Sequence, residues 1–212
     1  MKLEQHKLYH IYNQGNNKEK IFYSSENYLY YLRKFRQLVL PHCDVLAYCL
    51  MPNHFHFLIN SNKNSVELVQ IGGIFMNKVT NGFRLLLSDY AQKINEQQKR
   101  SGALFRPKTK AKLVETQSEF YPSVCFHYIH QNPIKVNLAT KIEQWPYSSF
   151  NDYAGFRGGT LCNQPLAIEL LNISRENFYE ESCKIVDEKF KKYFFLFLTV
   201  FVVSVCTEGL TA

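Results

Sequence analysis

Two short apolar segments joined by a turn constrain the fold of this chain more than any other feature. Asp44 to Leu50 (DVLAYCL) and His54 to Asn60 (HFHFLIN) are rich in strand-forming residues, and Met51-Pro52-Asn53 lies between them. Strand segments separated by a short turn pair as a β-hairpin. We therefore predict two antiparallel strands over residues 44–60.

The elements around this hairpin define the fold class. Before the hairpin, the sequence predicts a strand over Leu8 to Gln14 and a helix from Ser24 to about Leu40. After it come a mostly helical stretch from Ser65 to about Lys99, with a kink near Gly72-Gly73 or Gly82, and a strand over Lys110 to Val114. The last predicted element is a helix over Ser118 to Gln131, which ends at Asn132-Pro133. The order β-α-β-β-α-β-α is typical of a split-βαβ sheet. We expect an α+β, ferredoxin-like fold: an antiparallel sheet with helices packed on one face.

A boundary near Asp152 to Gly159 divides the chain into residues 1–153, which hold the predicted sheet, and residues 154–212, a mostly helical C-terminal extension. The extension includes an apolar tail, Tyr193 to Cys206, of 14 residues. A membrane helix needs about 20 apolar residues. A buried terminal helix or strand is therefore expected, and no membrane partner.

Composition and cysteine spacing narrow the class of protein. Hydrophobic residues make up 46% of the 212 residues and aromatic residues 15%, which excludes wholesale disorder. The 6 cysteines form no CxxC pair, and the N-terminus has no apolar signal segment, so a cytoplasmic protein with reduced thiols is expected. The net charge of +7 suits a polyanionic partner.

The histidine pair on the second hairpin strand is the first candidate site. The strand period of two puts His54 and His56 on one face, and Phe55, Phe57 and Ile59 on the other. Two imidazoles at this spacing can bind one metal ion if a third group approaches from another element. The alternative is two polar residues on a solvated face.

Several sequence blocks together resemble one known family. MPNHFHFLI (51–59) resembles the His-hydrophobic-His signature of HUH single-strand DNA transposases, in particular the REP-associated tyrosine transposases. YHIYNQGNN (9–17) is similar to that family's opening strand, RSGALF (100–105) to its R-x-G-x-L-[FW] turn, and YIHQNP (128–133) and WPYSS (145–149) to its later blocks. The resemblance covers residues 7–153 and implies an HUH transposase-like catalytic domain.

The family implies one nucleophilic tyrosine on a helix downstream of the histidine strand. Tyr90 is the one tyrosine of the helical stretch 65–99 and lies ten residues before Arg100, so we predict Tyr90 as the catalytic residue. The family also implies a polar metal ligand about one turn after the tyrosine. Asn95 is predicted by resemblance to complete the set with His54 and His56, and Gln97 is the geometric alternative.

A basic stretch follows the predicted catalytic helix. Lys108, Lys110 and Lys112 alternate, so on a strand they would share one face and could follow a phosphate backbone, while Phe105 stacks on a base. The predicted nucleic-acid-binding residues are Arg100, Phe105, Arg106, Lys108, Lys110 and Lys112. His127 and His130 are expected to be packing or capping residues.

The resemblance implies a metal-dependent DNA transposase that cuts and rejoins single-stranded or hairpin DNA through a 5′-phosphotyrosine intermediate. The cofactor would be a divalent metal ion, Mg or Mn; no small-molecule substrate is expected, and a homodimer is left open. Three alternatives stand beside it: a catalytically inactive, transposase-derived DNA-binding protein, a replication or mobilisation nickase, and a ferredoxin-like RNA-binding protein.

Overall fold

A computed structural model describes residues 1–114 and 121–184 of the chain. The start of the helix predicted from Ser118 and the apolar tail from Tyr193 to Cys206 lie outside these residues. The division of the chain at residue 153 stays a prediction. Within the described residues, no helix is long and apolar enough to cross a membrane.

A four-stranded antiparallel sheet forms the centre of the fold. Its strands are β1 (Leu8–Gln14), β2 (Asp44–Met51), β3 (His54–Asn60) and β6 (Lys110–Leu113). The strands β4 (Leu68–Ile71) and β5 (Ile74–Asn77) form a separate two-stranded ribbon. The order across the sheet is β2-β3-β1-β6, and each neighbouring pair is antiparallel. The predicted α+β, ferredoxin-like arrangement is therefore confirmed, and the hairpin over residues 44–60 is present.

Two long helices cover one face of the sheet, as the sequence predicts. They are α1 (Ser25–Leu38), which precedes the short helix α2 (Lys63–Val66) in the chain, and α3 (Lys78–Gln97), which follows it. Their fully buried side chains, among them Phe35 and Phe83, pack against Phe55 and Phe57 of the histidine strand. Gly82 lies at the helix crossing, where an added Cβ would come within 2.2 Å of the Leu38 carbonyl oxygen.

The opposite face of the sheet carries a second layer of helices. These are α4 (Tyr121–Lys135), α5 (Phe150–Tyr153), α6 (Gln164–Leu171) and α7 (Phe178–Cys183). Phe126, Phe150 and Phe178 form one buried cluster with Leu46 of β2 and Leu58 of β3. The sheet is thus covered on both faces, which corrects the predicted packing of helices on one face, and α4 lies on the face that carries His54 and His56.

The structure corrects two helix predictions. Between the histidine strand and α3 there is the exposed β4–β5 ribbon, with positive φ at Gly72 and Gly73 in its turn, instead of a continuous kinked helix. In addition, α4 continues through Pro133 to Lys135. Proline cannot donate to the carbonyl four residues earlier, but the Asn132 side-chain amide donates to the carbonyls of Ile129 at 3.3 Å and Tyr128 at 2.9 Å.

Candidate active site

The histidine strand presents its two faces as the alternation predicts. Phe55, Phe57 and Ile59 are fully buried against α1 and α3. His54 and His56 point to the other face, where their ring centroids lie 4.9 Å apart. The two imidazoles are therefore close together on the side of the sheet that α4 covers.

The protonation of His54 can be read from its neighbours. The Asn53 amide nitrogen donates to the Lys18 carbonyl at 3.2 Å, which orients the amide, and Asn53 Oδ1 lies 2.6 Å from His54 Nδ1. An amide oxygen can only accept, so Nδ1 carries the proton. Burial lowers the pKa of His54 to about 4, which leaves Nε2 of a neutral ring with its lone pair.

The second imidazole is held by a third histidine from the neighbouring strand. His10 Nε2 lies 2.8 Å from His56 Nδ1, and the two rings are stacked with centroids 5.0 Å apart. Burial, the main cause, lowers the pKa of His10 to about 3, and the charge of Lys112 adds to this effect. When His56 Nδ1 donates to His10, its Nε2 keeps a lone pair, as His54 Nε2 does.

Two tyrosines, and neither of them Tyr90, lie beside this histidine cluster. Tyr12 is directly opposite His56 in the β1–β3 register, with ring centroids 6.1 Å apart. Tyr128 reaches the same imidazole from α4, with ring centroids 6.2 Å apart. Tyr128 is 8% exposed, and burial raises the pKa of both hydroxyls.

The predicted nucleophile Tyr90 lies on the wrong face of the sheet. It projects from α3 into the opposite core, is fully buried, and contacts Phe22, Tyr31 and Phe105. Its hydroxyl donates to the Ile21 carbonyl at 2.7 Å. The sheet separates this hydroxyl from His54 and His56, so the structure does not bring the predicted catalytic residues together.

The predicted third ligand also lies away from the histidines. Asn95 is on α3, where its amide donates to the Gly102 carbonyl at 3.0 Å and accepts from Arg100 at 2.8 Å. The alternative, Gln97, accepts from Asn27 at 2.8 Å. Both amides therefore stabilise local structure on the α1–α3 face, and neither can join a set with the imidazoles.

Two other amide oxygens lie on the histidine face. Asn132 follows Tyr128 by one helical turn, and its Nδ2 bonds to backbone carbonyls leave Oδ1 as the remaining polar atom of the side chain. Gln14 is directly opposite His54 and 4% exposed, and its Oε1 is buried with no hydrogen-bond partner in the described part of the chain. No cluster of three or more His, Cys, Asp or Glu side chains in residues 1–114 and 121–184 could hold a metal ion. The neutral donors on this face are thus imidazole nitrogens and amide oxygens, which are ligand types that divalent cations accept.

Some of the basic residues near the predicted DNA-binding stretch lie on the histidine face, and others do not. Lys110 is paired with Tyr12 and Lys112 with His10 in the sheet register, so both share the histidine face. Lys108 is exposed and precedes β6, so it does not continue the predicted alternation on a strand. Lys135, which the sequence reading did not single out, places its Nζ 4.1 Å from the ring centroid of Tyr128.

The remaining predicted DNA-binding residues have structural surroundings. Arg100 donates to Asn95 and to Glu19 at 3.2 Å. Phe105 is 8% exposed and packs in the α1–α3 core, so its ring is not available to stack on a base. The backbone of Arg106 bonds to Gln14 and Asn13 at the end of β1. The DNA-binding role of these arginines stays a prediction.

Packing roles are present for the two helix histidines. His130 is fully buried with Nε2 at 2.7 Å from Ser149 Oγ, and His127 Nδ1 lies 2.9 Å from Ser182 Oγ. They point away from the cluster that Tyr128 joins. The residues that sequence reasoning missed, Tyr128 and Asn132, lie within the YIHQNP block that carried part of the resemblance. The block marks this helix in the sequence, but it does not show which face of the sheet the helix covers.

Known proteins were compared with this chain by sequence and by structure. A curated protein of Haemophilus influenzae named REP-associated tyrosine transposase is 22% identical over 130 residues, which cover 57% of this chain and 69% of that protein. A solved REP-associated tyrosine transposase, described as bound to a REP hairpin, matches with a TM-score of 0.52 and 14% identity over 76% of this chain and 87% of that chain. No protein-family model matches the sequence.

The chain resembles HUH proteins because it combines a ferredoxin-like sheet with a His-hydrophobic-His strand. The structural match shows that the fold is shared with a REP-associated tyrosine transposase. Together with the curated relative, it confirms the narrower resemblance to REP-associated tyrosine transposases.

Proposed function

We propose that this protein is a metal-dependent DNA strand transferase that cuts and rejoins single-stranded or hairpin DNA, with Tyr128 as its nucleophile. The observation that carries the proposal is the meeting of His54, His56 and Tyr128 on one face of the sheet. Tyr128 takes the role predicted for Tyr90, because a nucleophile must lie within reach of the group that activates its target.

The metal site would be built from the Nε2 atoms of His54 and His56 and one amide oxygen. Asn132 is the first choice for that oxygen, because it lies one turn after Tyr128 on the same face of α4, and Gln14 is the second. Imidazole and amide donors accept several divalent ions, and phosphoryl chemistry favours Mg or Mn. When bound, such a cation polarises the target phosphate and stabilises its developing charge.

In the proposed covalent step the Tyr128 hydroxyl is the nucleophile. Its oxygen forms a bond to phosphorus while the bond from phosphorus to the 3′-oxygen breaks, which gives a 5′-phosphotyrosyl link. The phenolic proton passes to solvent and the released 3′-oxygen takes up a proton, so the step is balanced. Attack by another DNA 3′-hydroxyl reverses the step and joins the strands, and no ATP is consumed.

The choice of DNA as substrate is supported by charge and by the relatives. Lys110, Lys112 and Lys135 surround the histidine cluster with positive charge from two different elements, as expected of a surface that binds a phosphate backbone. The solved relative is described as bound to a REP hairpin, and we extend a hairpin substrate to this chain. The match to transposases favours strand transfer over a nickase.

Covalent capture of labelled DNA tests the proposal. Hairpin DNA is incubated with protein and Mn²⁺ or Mg²⁺, and the products are separated on a denaturing gel. We expect a protein–DNA complex from the wild type, none from Tyr128→Phe, and wild-type amounts from the matched Tyr90→Phe. The Tyr12→Phe variant examines the other tyrosine beside His56, and loss of the complex in that variant alone would transfer the nucleophilic role to Tyr12.

One observation favours a second candidate, a DNA-binding protein without cleavage activity. Tyr128 is 8% exposed and its hydroxyl has a raised pKa because of burial, so DNA must displace neighbouring groups to reach it. Hairpin DNA that binds tightly but forms no covalent complex with any divalent ion would support this candidate and exclude strand transfer.

A further inference from the structure

Lys135 is an exposed residue of α4 whose side chain lies against Tyr128. It follows Tyr128 by seven residues and Asn132 by three, so the three side chains lie along one stripe of α4. The side chain of Lys135 reaches back along the helix until its Nζ lies 4.1 Å from the Tyr128 ring centroid. The residue is exposed, whereas Tyr128 and Asn132 are buried beneath it.

Lys135 also lies close to the histidine side of the site. The Tyr128 ring that it contacts has its centroid 6.2 Å from the centroid of the His56 ring. Lys135 is therefore next to the tyrosine and one ring away from a candidate metal ligand. From β6, Lys112 approaches the same cluster beside His10.

We infer that Lys135 is a catalytic residue that binds the phosphate attacked by Tyr128 and stabilises the charge it gains in the transition state. The inference rests on the proposed function. A phosphodiester carries one negative charge, and in-line attack spreads further charge over its non-bridging oxygens. The ammonium group of a flexible lysine side chain above the ring of the nucleophile can contact those oxygens. Partial exclusion of water from the site strengthens the attraction between the ammonium group and the phosphate.

A structural role is the alternative for Lys135. A lysine over a tyrosine face contributes a cation–π attraction to stability, and that contribution would be insensitive to the charge on DNA. The two roles differ in what happens when Lys135 is replaced: a structural lysine changes the melting temperature, and a phosphate-binding lysine changes the rate and the sensitivity to one DNA linkage.

The first measurement is the single-turnover rate of covalent complex formation at saturating DNA. Removal of one preorganised electrostatic contact slows such steps by about 10²–10³-fold, so we expect that loss for Lys135→Met and a smaller loss for Lys135→Arg, which keeps the charge. The matched control is Lys63→Met, which replaces an exposed lysine beyond the C-terminal end of the histidine strand. We expect the rate of this variant to equal that of the wild type. A loss below tenfold for Lys135→Met, or an equal loss for Lys135→Arg, would overturn the inference.

The second measurement does not need cleavage. DNA with a single uncharged methylphosphonate linkage, moved along the strand, is bound to Tyr128→Phe protein so that it stays intact. We expect one linkage at which affinity falls when Lys135 is present and does not fall in Tyr128→Phe/Lys135→Gln. Equal sensitivity at every linkage would contradict the inference. If the wild type forms no covalent complex at all, the proposed function fails, and this scan still decides whether Lys135 contacts a phosphate.

Discussion

Replacement of Tyr90 by phenylalanine separates a structural tyrosine from a catalytic one. The Tyr90 hydroxyl is buried and donates to the Ile21 carbonyl at 2.7 Å. Its removal leaves that buried carbonyl without this donor, while the ring and its aromatic contacts remain. An unsatisfied buried polar group destabilises a protein by about 1–3 kcal/mol. For a chain of this size that corresponds to a fall in melting temperature of roughly 2–12 °C.

Equilibrium urea unfolding and thermal melting of the full chain measure this effect. Tyr179→Phe is the matched control, because the Tyr179 hydroxyl bonds to Glu143 at the surface and the residue is 39% exposed. We expect Tyr179→Phe to stay within about 0.5 kcal/mol of the wild type. A Tyr90→Phe protein of unchanged stability that fails to form the covalent DNA complex would refute the placement of Tyr90 in the core.

Three further predictions follow from the site and its surroundings. Lys110→Ala/Lys112→Ala should reduce the slope of log affinity against log salt for single-stranded DNA by roughly 1.4, since each phosphate contact contributes about 0.7; parallel lines would contradict it. Phe105→Ala should lower the free energy of unfolding by about 3–5 kcal/mol because the ring is core, and loss of DNA affinity at unchanged stability would restore its stacking role. In metal-free buffer, the free energy of unfolding should fall as the pH drops from about 6.5 to 5. Burial lowers the pKa of His10 to about 3, so the unfolded chain takes up a proton at a higher pH than the folded protein does. A flat profile would exclude a buried neutral His10.

The sheet could be predicted from sequence because its signals are local. The observed β1 (Leu8–Gln14) and β3 (His54–Asn60) coincide with the predicted strands, since apolar alternation and turn residues define them without help from distant residues. The face assignment of His54 followed from the same period of two. The β4–β5 ribbon was not predicted, because Gly72 and Gly73, which suggest a kink in a helix, form the turn between its two strands.

The choice between candidate nucleophilic tyrosines could not be made from helix position alone. Tyr90 and Tyr128 both lie on helices after the histidine strand, and only the tertiary fold decides that α3 and α4 cover opposite faces of the sheet. Pro133 added to the error, because the expected helix end placed Asn132 in a turn. The side-chain bonds from Asn132 to Tyr128 and Ile129, which stabilise the helix around Pro133, do not appear in any sequence pattern.

The most direct test of the central claim is to identify the amino acid that becomes attached to DNA. Covalent complex formed with hairpin DNA and Mn²⁺ is digested with nuclease and trypsin, and the modified peptide is sequenced by tandem mass spectrometry. We predict the nucleotide adduct on the peptide covering residues 113–135, with the fragment ions locating it at Tyr128 and not at Tyr121. An adduct on Tyr90 or Tyr12 would contradict the assignment of the His54, His56 and Tyr128 face as the active site.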